Sequence, residues 1–260
     1  MEFLQRGFES PACIDSANET SYNTRSLYYQ AEDINYTNQW AEFNILLIKE
    51  QYSALLQSTK IAVYNDFFSP QSPPPPVVTN EVVCWRVWQH IMPRAARALC
   101  YGFKSLNANS PSSALKALIL DGGTAGLTPD HFAPDLGFFD DSLPCETRSN
   151  RAPGVCQLSS RWSFALQSHP NPAKRREFKQ LLSRVNWYMR QHHTRYGFIL
   201  TDREFVAIRR LDGPGKGNLE LSEPVFWEAS GTVSDPRLTI LLGLWYLGML
   251  AADEESCFLE

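Results

Sequence analysis

The chain has 260 residues, enough for one large domain or for a domain with an appended arm. Hydrophobic residues make up 43% of it, enough for a substantial core. A formal net charge of -4 excludes a globally basic protein, so nucleic-acid binding would need a local cationic patch.

Six cysteines (Cys13, Cys84, Cys100, Cys145, Cys156 and Cys257) are scattered without a C-x-x-C pair or a metal-ligand rhythm. They read as reduced thiols of an intracellular protein rather than as a disulfide framework. Met1 to Arg6 lacks the charged-then-apolar pattern of a signal segment, and the apolar run Leu238 to Ala252 is short for a bilayer span. The expectation is a cytoplasmic or nuclear protein with no membrane partner, in which the sequons at Asn18 and Asn35 carry no meaning.

In chain order, the polar, mixed residues 1 to 26 predict a mobile arm. From Leu27 to Tyr64, the residues Trp40, Phe43, Leu46, Leu47 and Tyr52 fit one helical face. Ser69-Pro70-Gln71-Ser72 and Pro73 to Pro76 cannot continue a helix and form a stiff spacer or a polyproline ligand. Thr79 caps a helix that carries Glu81 and continues through Val87, Ile91 and Ala95. The predicted division is an N-terminal arm with a partly helical region (1-68), a Pro-rich linker (69-78), a core (79-252) and an acidic tail (253-260).

Leu115 to Leu120 reads as a buried strand ended by Asp121-Gly122-Gly123, and Leu136 to Phe139 and Val155 to Leu158 read as two more, with Arg161 and Trp162 closing the third. Between the last two, Glu146, Arg148 and Arg151 lie on a loop and read as solvated. Lys174 to Thr194 shows Phe178, Leu181, Leu182, Val185 and Met189 at helical spacing. Lys174, Arg175, Arg176, Lys179 and Arg184 make it the most basic segment, either a solvated face or a phosphate-tracking surface. His192 and His193 point about 100° apart on a helix and cannot chelate one ion locally, although one of them suits a general base. Phe198 to Thr201 and Glu204 to Leu211 read as strands, Asp212 to Asn218 as a flexible loop, and Ser234-Asp235-Pro236 as the start of a core helix running to Ala252.

Pro134-Asp135 before a strand, then Ala152-Pro153-Gly154-Val155-Cys156-Gln157-Leu158-Ser159-Ser160-Arg161-Trp162, resembles the metal-binding skeleton of the PD-(D/E)XK nuclease superfamily, fungal members in particular. Tyr188 to Arg190, Arg195 to Glu204 and Val206 to Arg210 are similar to the helix and hairpin that follow in those proteins, and Asn80-Glu81 resembles their first core helix. The resemblance implies an α/β fold with a restriction-endonuclease-like α/β/α core and a mixed central sheet, to which the N-terminal helical arm is added. In such a site two carboxylates hold a divalent cation, and a lysine two residues after the second stabilises the transition state.

Asp135 fills the first position, but Val155 stands in place of the second acid and Gln157 in place of the lysine. The leading expectation is therefore a nuclease-like protein without the standard metal-dependent chemistry, with no metal ligands assigned, that still binds nucleic acid (DNA or RNA) or a partner. Arg161, Arg175, Arg176 and Lys179 are the candidate binding cations. One alternative is a repurposed enzyme of fungal specialised metabolism that acts on a small molecule or an aminoacyl-tRNA-like substrate. Asp135, Glu81, Cys156, His192 and Tyr196 would form its pocket, although strand alternation turns Cys156 away from Val155 and Gln157. The other is an active nuclease with migrated residues such as Glu146 or Arg161, which alone would call for Mg2+ or Mn2+.

Overall fold

The computed structural model describes residues 1–8, 26–59, 61, 87–109, 115–211 and 217–259. Thr79, Glu81 and the Pro-rich stretch lie outside these residues, so the roles expected of them have no structural counterpart here. In chain order the elements are β1 (Ile34–Gln39), α1 (Ile45–Ser58), α2 (Met92–Asn109), β2 (Leu118–Gly122), β3 (Leu136–Asp140) and β4 (Gly154–Gln157). They continue with α3 (Pro172–Gln191), β5 (Tyr196–Thr201), β6 (Glu204–Arg210), β7 (Gly217–Leu221), β8 (Val225–Phe226) and α4 (Ile240–Ala251). A π-type turn at Val87–Ile91 leads into α2.

The protein is an α/β structure with one mixed eight-stranded sheet in the order β1-β7-β6-β5-β4-β3-β2, with β8 paired to β6. β2, β3 and β4 form an antiparallel meander, and β5 then lies parallel to β4 after the crossover through α3. All six residues of β5 are buried, as a central strand covered on both faces requires. Side-chain alternation splits the core in two. Val155, Ile199, Val206 and Ile208 pack with Phe178, Leu181 and Val185 of α3, whereas Cys156, Phe198, Leu200 and Phe205 pack with Leu99 of α2 and Trp245 of α4. Val87, Ile91 and Ala95 share the buried face that their spacing predicts.

Helix starts follow local chemistry. The Asn171 side chain accepts from Ala173 N, Pro172 occupies the first turn, and Thr239 Oγ1 accepts from Leu242 N at 3.2 Å. The last helix thus starts at Ile240, later than Ser234-Asp235-Pro236 suggests, because Thr239 rather than Ser234 meets the free amides. The first turn of α3 carries no acid, and Lys174 stands there exposed. Lys174→Glu should favour the positive end of this helix by about 0.5 kcal/mol, read as a small rise in the urea midpoint at low salt that fades at high salt.

Three expectations are corrected. Residues 1–8, expected to be part of a mobile arm, are held on the core: Phe3 and Leu4 are buried, Phe8 N donates to Trp227 O at 2.7 Å, and the Gln5 side chain bonds to Arg237 O at 3.0 Å. Trp40 and Phe43 precede the helix they were expected to share with Tyr52. Ile34–Gln39 is instead a strand parallel to β7, a partner remote in sequence. The acidic tail, for which the sequence set no expectation of its own, packs on the core through residue 259, with Cys257 fully buried, its carbonyl accepting from Arg195 N at 2.7 Å, and Thr194 bridged to Phe258. Gly217 and Asn218, expected in a loop, open β7.

The loop between β3 and β4 also departs from a solvated reading. Asn150 is fully buried: its Oδ1 accepts from Phe138 N (3.2 Å) and Ala152 N (3.1 Å), and its Nδ2 donates to Leu136 O at 3.3 Å. A Cβ on Gly137 would lie 2.0 Å from that amide nitrogen, so only glycine permits the approach. Arg148 and Arg151 are also buried, Arg151 ion-paired with Glu254 at 3.2 Å, and Glu146 stays exposed. Among the described residues, no helix is long and apolar enough to cross a membrane.

Candidate functional site

Asp135 is pinned by its own backbone before its side chain does anything. Its N–H donates to Gly154 O (3.1 Å) and its carbonyl accepts from Gly123 N (3.3 Å), which fixes it between the ends of β2 and β4. Oδ2 then accepts from Cys156 N at 2.8 Å. Oδ1 lies 3.6 Å from Arg184 Nη2 of α3. One turn further on, the ring of Tyr188 lies beneath the Arg184 guanidinium at 5.9 Å, and its hydroxyl donates to Ala133 O at 2.9 Å. Burial raises the Asp135 carboxyl above the usual range, and Arg184 and the Cys156 amide pull it back only in part. The two side chains keep 30% and 22% of their surface, so a ligand can reach the pair.

The positions beside Asp135 offer no cation ligands. Val155 is completely buried in the apolar cluster under α3. Gln157, which alternation places on the same face, is buried and accepts from Leu158 N at 3.0 Å through Oε1. Among the described residues, no group of three His, Cys, Asp or Glu side chains could hold a metal ion. A divalent cation at Asp135 would meet one carboxylate, a hydrocarbon and the guanidinium of Arg184, and this donor set does not fit it.

The other expected site residues are dispersed. The Cys156 side chain packs on the opposite face of the sheet from Val155, and only its amide touches Asp135. Tyr196 is buried on that opposite face too, stacked on Trp40 at 5.8 Å. His192 is buried at the end of α3, where Nδ1 accepts from Asn150 N at 3.2 Å. That bond leaves the proton on Nε2, so no lone pair remains to take a proton from a substrate. Burial, with His193 adding to it, pushes its pKa down to about 4.

Of the four expected binding cations, three gather at the start of α3. Arg175 donates to His169 O (2.7 Å) and Pro170 O (2.9 Å), Arg176 pairs with Glu32 at 3.1 Å, and Lys179 donates to Ile34 O (3.2 Å) and Asn35 O (3.3 Å). All three line an open cavity of about 460 Å³. Arg161 is held in the turn after β4 and does not line it.

Arg184 enters the site from a helix whose charges read as solvated, and only its i,i+4 spacing to Tyr188 hints at a shared face. Asp202 and Glu204 are buried as well, but they accept from Ser159 Oγ (2.7 Å) and Phe164 N (2.6 Å), so they brace the turns that follow β4. No family model, no curated protein and no solved structure matches the chain.

Proposed function

We propose that this chain is a PD-(D/E)XK-like protein that has lost the metal-dependent phosphodiesterase site and keeps the surface around it for binding. The observation that carries this reading is the Asp135 carboxylate facing the chain's own Arg184 where the resemblance implies a metal. The order helix, three antiparallel strands, crossover helix and parallel strand supports a restriction-endonuclease-like core, with Asp135 directly before the second of those strands and Val155 within the third. Arg184 balances the charge of Asp135 but cannot acidify a water as a divalent cation does. Removing one such stabilising group from a hydrolase typically costs about 100-fold to 1,000-fold in rate, and here both the second carboxylate and the lysine are missing.

Purified protein incubated with labelled single-stranded and duplex DNA and RNA, in Mg2+ and then in Mn2+, should leave all four intact. Asp135→Ala should behave as the wild type does. Cleavage by the wild type that Asp135→Ala abolishes would overturn the proposal.

A further inference from the structure

The first two turns of α3 hold Lys174, Arg175, Arg176 and Lys179 against a single acid, Glu177. A helix N-terminus already carries about half a positive charge, so cations there cost stability where acids would add it. A phosphate at this end would gain from both fields. The cavity beside them is lined by Asn35, Thr37 and Gln167 together with Arg175, Arg176, Lys179 and one carboxylate, Glu32, which pairs with Arg176 and leaves Arg175 and Lys179 as its uncompensated charges.

Eleven residues along the same helix, about 16 Å away at 1.5 Å per residue, Trp187 anchors an aromatic patch. Its ring lies 5.2 Å from Phe132 and 5.8 Å from Tyr28, and Tyr28 lies 4.8 Å from Phe132 while 57% of it stays exposed. The segment from Tyr28 to Asn35 runs beside the helix and ties the two ends together. The Tyr29 ring meets Trp187, Gln180 bonds to Ala31 N and Tyr29 O, and Arg176 and Lys179 grip Glu32 and the carbonyls of Ile34 and Asn35. Cations and aromatic rings thus stand at a fixed separation on one face.

We propose that this face of α3 binds a single-stranded nucleic acid, with phosphate in the cationic cavity and bases against Tyr28 and Trp187. The proposal rests on the binding role inferred above and names its ligand class. A single strand fits because its bases present their faces to aromatic side chains, and those faces are hidden in a duplex. Glu32 sits in the cationic cavity, paired with Arg176, and Asp33 follows it, so the face offers local phosphate contact and no continuous cationic track for a duplex backbone.

Fluorescein-labelled oligo(dT), oligo(rU) and a mixed-sequence duplex of equal length are titrated with the full chain in EDTA, with anisotropy as the readout at two salt concentrations. Single strands should bind at least about tenfold tighter than the duplex. The ratio of oligo(rU) to oligo(dT) affinity assigns the natural source. The double variant Tyr28→Ala/Trp187→Ala should lose about tenfold to a hundredfold. Arg175→Glu/Lys179→Glu should weaken binding and flatten the salt slope by about 1.4, or about 0.7 for each phosphate no longer neutralised.

Melting curves verify the fold of each variant, and Tyr28→Ala alone, on a largely exposed ring, serves if the Trp187 variant unfolds. The proposal is overturned if no oligonucleotide binds, if the duplex binds as well as single strands, if folded variants bind as the wild type does, or if oligoglutamate competes as well as oligo(dT). Cleavage in Mg2+ or Mn2+ is a separate result that sinks the lost-site reading without touching the affinities measured in EDTA.

Discussion

Placing at positions 155 and 157 the acid and the lysine that the resemblance implies, in the double variant Val155→Asp/Gln157→Lys, should unfold the protein rather than make it a nuclease. Val155 is fully buried, in one apolar cluster with Trp162, Phe178 and Ile199. An aspartate there loses the apolar contacts and desolvates a carboxylate among hydrocarbon and aromatic side chains. Lysine at 157 gives up the hydrogen bond that Gln157 Oε1 accepts from Leu158 N and buries an ammonium beside it. The combined loss is on the order of 5 kcal/mol, comparable to the whole stability of many domains. Urea unfolding followed by circular dichroism would show a strongly lowered midpoint or no transition at all. A variant with the wild-type midpoint that cuts DNA in Mn2+ would mean that the third strand still opens onto a reaction site, and the sealed-site argument would fail.

The difference between an acid and a valine at this position was legible in the sequence because it lies within one strand, and a strand is a local object. The same holds for β3, β5 and β6, whose apolar runs are bounded by Pro, Gly or a polar pair, and for α3, whose core stripe repeats at helical spacing. The elements that were missed are those fixed by remote partners. Ile34–Gln39 is polar by composition and becomes a strand because β7 lies beside it. Phe3 and Leu4 look like two stray apolar residues until the core supplies a place for them. Arg184 reads as one more cation on a basic helix, and nothing in its own segment shows that Asp135 arrives opposite it. Asn150, Arg148 and Arg151 look solvated for the same reason, since loop composition does not reveal which backbone groups will need partners. Local pattern therefore singled out Asp135, whereas tertiary packing set Arg184 opposite it.

His192 carries the last large effect, and it is one of stability against pH. Its pKa is held at about 4 in the fold against 6.5 for an ordinary histidine, with burial as the main cause. A depressed folded-state value means that the fold prefers the neutral ring. The stabilisation is full above pH 6.5 and is lost as pH falls through the window down to about 4, where both states are protonated. The gap corresponds to about 3 kcal/mol. Asp135 and Glu204 act in the opposite sense, because burial raises both and acid relieves their charged forms. A wild-type profile alone would mix the three contributions. His192→Gln isolates the imidazole, since the glutamine oxygen can still accept from Asn150 N and does not titrate. The stability difference between wild type and His192→Gln, taken from urea midpoints at pH 7 and pH 4, should shift by about 3 kcal/mol in favour of the variant at the lower pH. An unchanged difference would mean that His192 is solvated and free to ionise, which would return it to consideration as a general base.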